Sequence, residues 1–215
     1  MASAAGKAKI LVEVTSDTVC PWCYVGKRRL ERAMSRLADR AEFTVRWLPY
    51  QLNPNAPREG LVKLDYYNQK FGAARVAQMM PAMTKTFAEE GLEYRMGGLT
   101  GNTLDSHRLI AWSEQFGPDK QNALVEELFR GYFCQEKYIG DREFLLSAVA
   151  KAGLPADGAA AVLDDPRVCA EQVEQHLQHG AAGINGVPFF VINKSAKLSG
   201  AQPPETFEQV FQRFL

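Results

Sequence analysis

Two cysteines, Cys20 and Cys23, bracket Pro21-Trp22 where a strand-like run, Ile10 to Val14, gives way to a helical pattern, Val25 to Ala38. No other stretch constrains the chain as tightly. The first backbone N–H groups of a helix have no partner within it, and the helix dipole is positive at that end. A sulfur placed there is stabilised as the thiolate, the form that attacks. Proline suits the first helical turn because its missing N–H costs nothing there. Two intervening residues put the second sulfur one turn on, within reach of the first. Cys20, nearest the helix start and the surface, is the expected nucleophile. Cys23, a turn inside, is expected to resolve the mixed disulfide.

Two plainer readings compete. Half of a zinc site needs two more ligands. The sequence has no second Cys-x-x-Cys, and His107, His176 and His179 are dispersed, so no metal is expected. A pair of inert buried thiols is the other. Cys134 and Cys169 stand alone on helical patterns among apolar neighbours and read as inert thiols of that kind.

Composition narrows the class. In 215 residues, 46% are hydrophobic and 23% charged, ordinary for a globular protein with a sizeable core. Net charge is zero, so neither nucleic acid nor an anionic membrane is an expected partner. No apolar run approaches the roughly 20 residues of a membrane span. Residues Met1 to Lys9 lack the apolar middle of a secretory leader. Together with cysteine usage unlike a secreted disulfide framework, this predicts a cytoplasmic protein.

Periodicity gives the order of elements. Lys9 to Thr15 reads as a buried strand, and Glu42 to Leu48 alternates Phe43, Val45 and Trp47 with polar residues as a second. With the helix between them they form a βαβ unit, whose right-handed crossover makes the strands parallel. A Pro- and Asn-rich loop, Pro49 to Gly60, follows. Helices are then expected over Leu61 to Phe71, Ala73 to Glu90 with a kink or break at Pro81, Thr103 to Phe116, Lys120 to Cys134, Arg142 to Ala152, Ala156 to Leu163, and Pro166 to about His179. Gly91 to Gly101 reads as irregular. Val187 to Ile192 reads as an apolar strand interrupted by Pro188, Lys197 to Ser199 as an edge strand, and Pro203 onward as a closing helix. The fold class is therefore α/β, with residues 8–60 and 184–215 building one sheet-based domain and an α-helical subdomain, 61–183, inserted between them.

Val187-Pro188 is a second constellation. Proline is out of place inside an apolar strand unless the strand is an edge or the bond is cis. A cis bond facing the sulfurs would let Val187 offer its backbone to an extended substrate. Trp22 and Tyr24 flank the cysteines as an apolar landing surface, or Tyr24 as core. Asn102 to Arg108 either shapes a groove through Asn102 and His107 or is structural, with Asn102 or Thr103 as a helix cap and His107 buried.

Taken together, Val19 to Cys23 and Gly186 to Phe190 resemble the DsbA family of the thioredoxin superfamily, in its FrnE-like branch. Further matching stretches are Ser16-Asp17 through Tyr24, Asn102-Thr103 with His107-Arg108-Leu109, Gly186 through Asn193, and Ser199 through Gln202. Ser106 stands where that pattern has Ala. The resemblance implies a thioredoxin fold with an inserted helical subdomain, a cis Pro188, and thiol-disulfide oxidoreductase activity on a protein or small-molecule thiol or disulfide. Pro21, Trp22, Val187, Pro188, Asn102 and His107 are the expected substrate-binding residues. No bound cofactor is expected; glutathione is the thiol co-substrate to consider.

Two functions from other classes remain. The same lineage includes kappa-class glutathione transferases and 2-hydroxychromene-2-carboxylate isomerase, which use Ser where Cys20 stands; an intact cysteine pair argues against that chemistry. A non-enzymatic binding module, gripping a partner with the helical subdomain, rests only on the size of that subdomain.

Overall fold

The computed structural model describes residues 6–180 and 183–215. Readings that fall on residues 1–5 and 181–182, parts of the N-terminal segment and of the end of the insert, lie outside them, as does the side chain of His179.

Strand β1 (Ala8–Ser16) is central because its side chains are almost all shielded, with Ile10, Val12 and Val14 at 1% exposure or less. Helix α1 (Pro21–Arg36) follows, then β2 (Ala41–Pro49), parallel to β1 from Ala8 opposite Ala41 to Ser16 opposite Pro49. At the other end of the chain, β5 (Phe189–Ile192) runs antiparallel to β1, and β6 (Ala196–Ser199) antiparallel to β5. The sheet order is β2-β1-β5-β6. Helix α9 (Pro204–Phe211) packs on α1, with Phe207 and Phe211 fully buried.

Between β2 and β5 come α2 (Lys63–Phe71), α3 (Ala73–Glu89), α4 (Leu104–Ser113), α5 (Pro118–Cys134), α6 (Arg142–Lys151), α7 (Ala156–Asp164) and α8 (Ala170–Gln175). Helix α5 lies against β2 and carries the densest apolar face. Tyr24 of α1 stacks on Phe129 at 5.1 Å and meets Phe87 of α3 edge-on at 5.9 Å. Buried polar groups reinforce this seam. The Tyr24 hydroxyl donates to Glu126 Oε1 at 2.8 Å, and the Lys27 ammonium reaches Glu126 at 2.8 Å and Glu31 at 2.5 Å. Burial would push the Glu126 carboxyl up, but Lys27 and the Tyr24 hydroxyl outweigh it and hold the pKa down.

Four expectations need correction. Of the kink or break expected at Pro81, the break is absent: Pro81 lies inside α3, which runs on past it. Leu61–Val62 is not helical but forms β3, paired with β4 (Leu99–Thr100) inside the stretch read as irregular; two-residue strands carry no readable periodicity. The proline of Val187-Pro188 precedes β5 rather than interrupting it, so the strand lies between two neighbours. Pro166 does not open a helix. The Arg108 guanidinium donates to the carbonyls of Val162, Asp165 and Val168 there, Cys169 turns left-handed at φ 59°, and α8 starts only at Ala170.

Candidate active site

Ser16 ends β1, and residues Asp17 to Val19 turn the chain into α1. Cys20 caps the helix in extended backbone, with Pro21 next. The Cys20 N–H donates to the Asp17 carbonyl and the Cys23 N–H to the Cys20 carbonyl, each at 3.0 Å, so both cysteines ride on one hydrogen-bonded turn. Cys20 is 5% exposed and Cys23 fully buried; both are free thiols. Burial pushes the Cys23 thiol well up from its usual range. The hydrogen bond and charge of Cys20 add to this, while the Ser16 side chain and the Asp17 backbone pull the other way.

The Val187–Pro188 peptide bond is cis. It brings the Val187 carbonyl to 3.6 Å from Cys20 Sγ, where the thiol donates to it. The Gly200 N–H donates to the Pro188 carbonyl at 2.8 Å, tying this loop to the end of β6. Gly26 makes the approach of α1 possible, since a Cβ there would stand 3.0 Å from Pro188 Cγ.

In front of Cys20 opens a cavity of about 320 Å³. Cys20, Pro21 and Val187 form its floor, Trp22 and Leu52 its exposed rim, and Tyr67, Phe71, Met79 and Met83 of α2 and α3 its roof. Asp17 and Lys70 are charged residues on its lining. Burial, with the neighbouring Tyr132 and Tyr94 adding to it, pushes the Tyr67 hydroxyl well above its usual range.

The residues singled out from sequence divide. Cys20, Pro21, Trp22 and Val187 line the cavity, with Cys23 and Pro188 directly behind them. Asn102 is engaged with its own chain: its Oδ1 accepts from the Leu104 N–H at 2.9 Å, and its Nδ2 donates to the Pro54 and Ala56 carbonyls. His107 is 2% exposed and sits 3.2 Å from Asp17 Oδ1, while Asp17 Oδ2 accepts from the Leu52 N–H at 2.8 Å. Tyr24 is core. Sequence reasoning missed Asp17 and the whole roof. The soft apolar run Tyr66, Tyr67, Phe71, Met79 and Met83 was the available signal. Among the described residues, no group of three or more His, Cys, Asp or Glu is placed to hold a metal, and no helix is long and apolar enough to cross a membrane.

A strand–Cys-x-x-Cys–helix turn facing a cis proline on a β2-β1-β5-β6 sheet defines the thioredoxin fold. Residues 11–212 match the DSBA-like thioredoxin domain, and the chain belongs to that family, with helices inserted in the thioredoxin scaffold. A probable DsbA oxidoreductase from Streptomyces coelicolor is 33% identical, with a TM-score of 0.86 over 95% of this chain and 89% of that one. A 2-hydroxychromene-2-carboxylate isomerase shares the fold at 14% identity, TM-score 0.69, over 94% of this chain and 95% of that one. So does the cytosolic disulfide reductase DsbM from Pseudomonas aeruginosa, solved with glutathione, at 17% identity, TM-score 0.58, over 94% and 98%.

Proposed function

We propose that the protein is a thiol-disulfide oxidoreductase in which Cys20 attacks and Cys23 resolves. The observation that carries this is the meeting, at the floor of the cavity, of a helix-capping cysteine and the Val187 carbonyl 3.6 Å away. A substrate disulfide entering the cavity meets the sulfur and a backbone acceptor together. Cys20 attacks one substrate sulfur and expels the other as thiolate. Cys23 then displaces the remaining half and closes the Cys20–Cys23 bond; the reverse sequence oxidises a dithiol. Pro21, Trp22, Val187 and Pro188 hold the substrate against the sulfur, and Asn102 acts at one remove by bracing the loop before α2. The Tyr67, Phe71, Met79 and Met83 roof favours an apolar thiol or disulfide. Glutathione serves as the thiol co-substrate, in keeping with the likeness to DsbM. A cytoplasmic site of action is part of this reading and rests on the isolated cysteines.

An apolar cavity beside Cys20 also suits a glutathione-dependent isomerase, and one experiment separates the two. Incubated with glutathione disulfide, Cys23→Ser accumulates a mixed disulfide on Cys20, while Cys20→Ser forms none at this site. Failure to trap any adduct on Cys20, with glutathione-dependent activity surviving Cys23→Ser, would favour the isomerase.

A further inference from the structure

The wall of the cavity in front of Cys20 is mostly apolar, with Val19, Leu52, Phe71, Met79 and Met83 facing it. The acid on its lining, Asp17, offers a ligand nothing. It is fully buried, and its two oxygens are taken by His107 and by the Leu52 N–H. Other acceptors on the wall are engaged as well. The Val187 carbonyl accepts from Cys20, the Thr103 hydroxyl from Gln51 and the Thr100 hydroxyl from Tyr132.

One corner differs. It is lined by Asn53, from the loop before α2, and by Tyr66 and Lys70, one turn apart on α2. The Tyr66 hydroxyl accepts from Asn53 Nδ2 at 3.4 Å and from Lys70 Nζ at 3.3 Å. With its acceptor sites engaged, its own proton is left to donate. The Lys70 ammonium gives one of its three protons to Tyr66 and has no carboxylate partner among the described residues. It lies 5.5 Å from the ring centres of both Tyr66 and Phe71, which hold it against the wall. The corner therefore presents unspent donors and one uncompensated positive charge beside an apolar space. A carboxylate, planar and singly charged, matches one ammonium and one hydroxyl. The cavity, at about 320 Å³, sits at the small end of ligand pockets and suits a single ring or short chain.

We propose that Asn53, Tyr66 and Lys70 form a carboxylate subsite, and that the substrate is a small disulfide or thiol with an apolar body and a carboxylate end. The body lies under Met79 and Met83, and the carboxylate takes the free protons of Tyr66 and Lys70. The proposal rests on the exchange chemistry assigned above to Cys20 and Cys23 and names the substrate class of that chemistry. The Cys20 thiolate bonds to one substrate sulfur as the substrate S–S bond breaks. The other half leaves as a thiolate with the electron pair of that bond.

The test uses the full chain, reduced, with Cys134 and Cys169 replaced by serine. Two aromatic disulfides of matched shape are compared at fixed ionic strength: the disulfide of nitrothiobenzoate and its bis-carboxamide. The first coloured thiolate released reports Cys20 attack. The quantity read is the ratio of the two rate constants, acid over amide; comparing that ratio between parent and variant cancels the probes' different intrinsic reactivity. It should fall about threefold or more in Lys70→Met and in Tyr66→Phe, and be largely retained in Lys70→Arg. Tyr66→Phe removes no charge, so its fall separates a hydrogen-bonded subsite from attraction at a distance. Glutathione disulfide, whose carboxylates sit on a polar body, is the third probe, and its rate should change less than about twofold in Lys70→Met. A parent-like ratio in Lys70→Met or in Tyr66→Phe overturns the subsite. An equal dependence on Lys70 for glutathione disulfide overturns the apolar body. Should neither aromatic disulfide release thiolate from the parent, the exchange chemistry beneath the proposal fails instead.

Discussion

Helix α5 and the α2–α3 pair belong to the same stretch between β2 and β5, but they are held by opposite means. Helix α5 buries Leu124, Val125, Leu128, Phe129, Tyr132 and Phe133 at 1% exposure or less, and is pinned to α1 by the Tyr24 and Lys27 contacts with Glu126. Helix α3 buries Val76, Met83 and Phe87 over its 17 residues, and α2 buries only Lys63. The cysteine turn therefore rests on a dense support, while the cavity's roof is thinly anchored. Regions with few buried contacts open at a lower free-energy cost than the core. In the exchange chemistry proposed above, a roof of this kind would open to substrate without disturbing the turn that holds the sulfurs.

The contrast is broken or sharpened by substitution. Phe129→Ala, beneath the turn, is expected to cost about 3–5 kcal/mol in chemical denaturation. A loss no greater than that of a roof substitution would erase the distinction.

A smaller effect lies in Lys63, the one side chain of α2 that is fully anchored. Its ammonium donates to the Tyr132 carbonyl at 3.0 Å and lies 3.8 Å from the Tyr132 ring centre. Burial lowers its pKa to about 8. A depressed lysine binds fewer protons folded than unfolded, so stability rises with pH above about 8, toward the free value of about 10.5. Between pH 8 and 9 the gain is at most about 1.4 kcal/mol. The thiols of Cys23, Cys134 and Cys169, all raised, act in the opposite direction from about pH 8.5–9, where free cysteines titrate, and so offset part of this gain within the interval, while the raised tyrosines oppose it only at higher pH. The difference in denaturation midpoint between parent and Lys63→Met, which share the thiols, should grow in the parent's favour from pH 8 to 9. A difference that stays flat or shrinks would contradict the lysine's placement.

The smallest stability effect belongs to the roof. Met79→Ala should change stability by less than about 1 kcal/mol, while raising KM for an apolar disulfide several-fold with kcat nearly unchanged. Unchanged KM and kcat would place Met79 outside the substrate's reach.

What was legible in the sequence follows from distance along the chain. Cys20 to Cys23 and Val187-Pro188 carry local signals, a helix start and a proline beside an apolar strand, and the turn they form could be read from either segment. The roof was not readable, because the periodicity of residues 61–90 shows a helical face without showing what it covers. The Asp17–His107 contact joins residues 90 apart, with neither partner unusual where it stands. Arg108 is similar: nothing beside it in the sequence shows that its guanidinium is buried in the carbonyls that end α7.

The central claim is that Cys20 and Cys23 form one reversible couple while Cys134 and Cys169 take no part. Equilibrating the protein in glutathione buffers of graded ratio and counting alkylatable thiols by mass tests it most directly. The account predicts a single two-electron transition that removes two thiols, both mapped to the Cys20–Cys23 peptide, with Cys134 and Cys169 unchanged. No transition across the range, or one that engages Cys134 or Cys169, would contradict it.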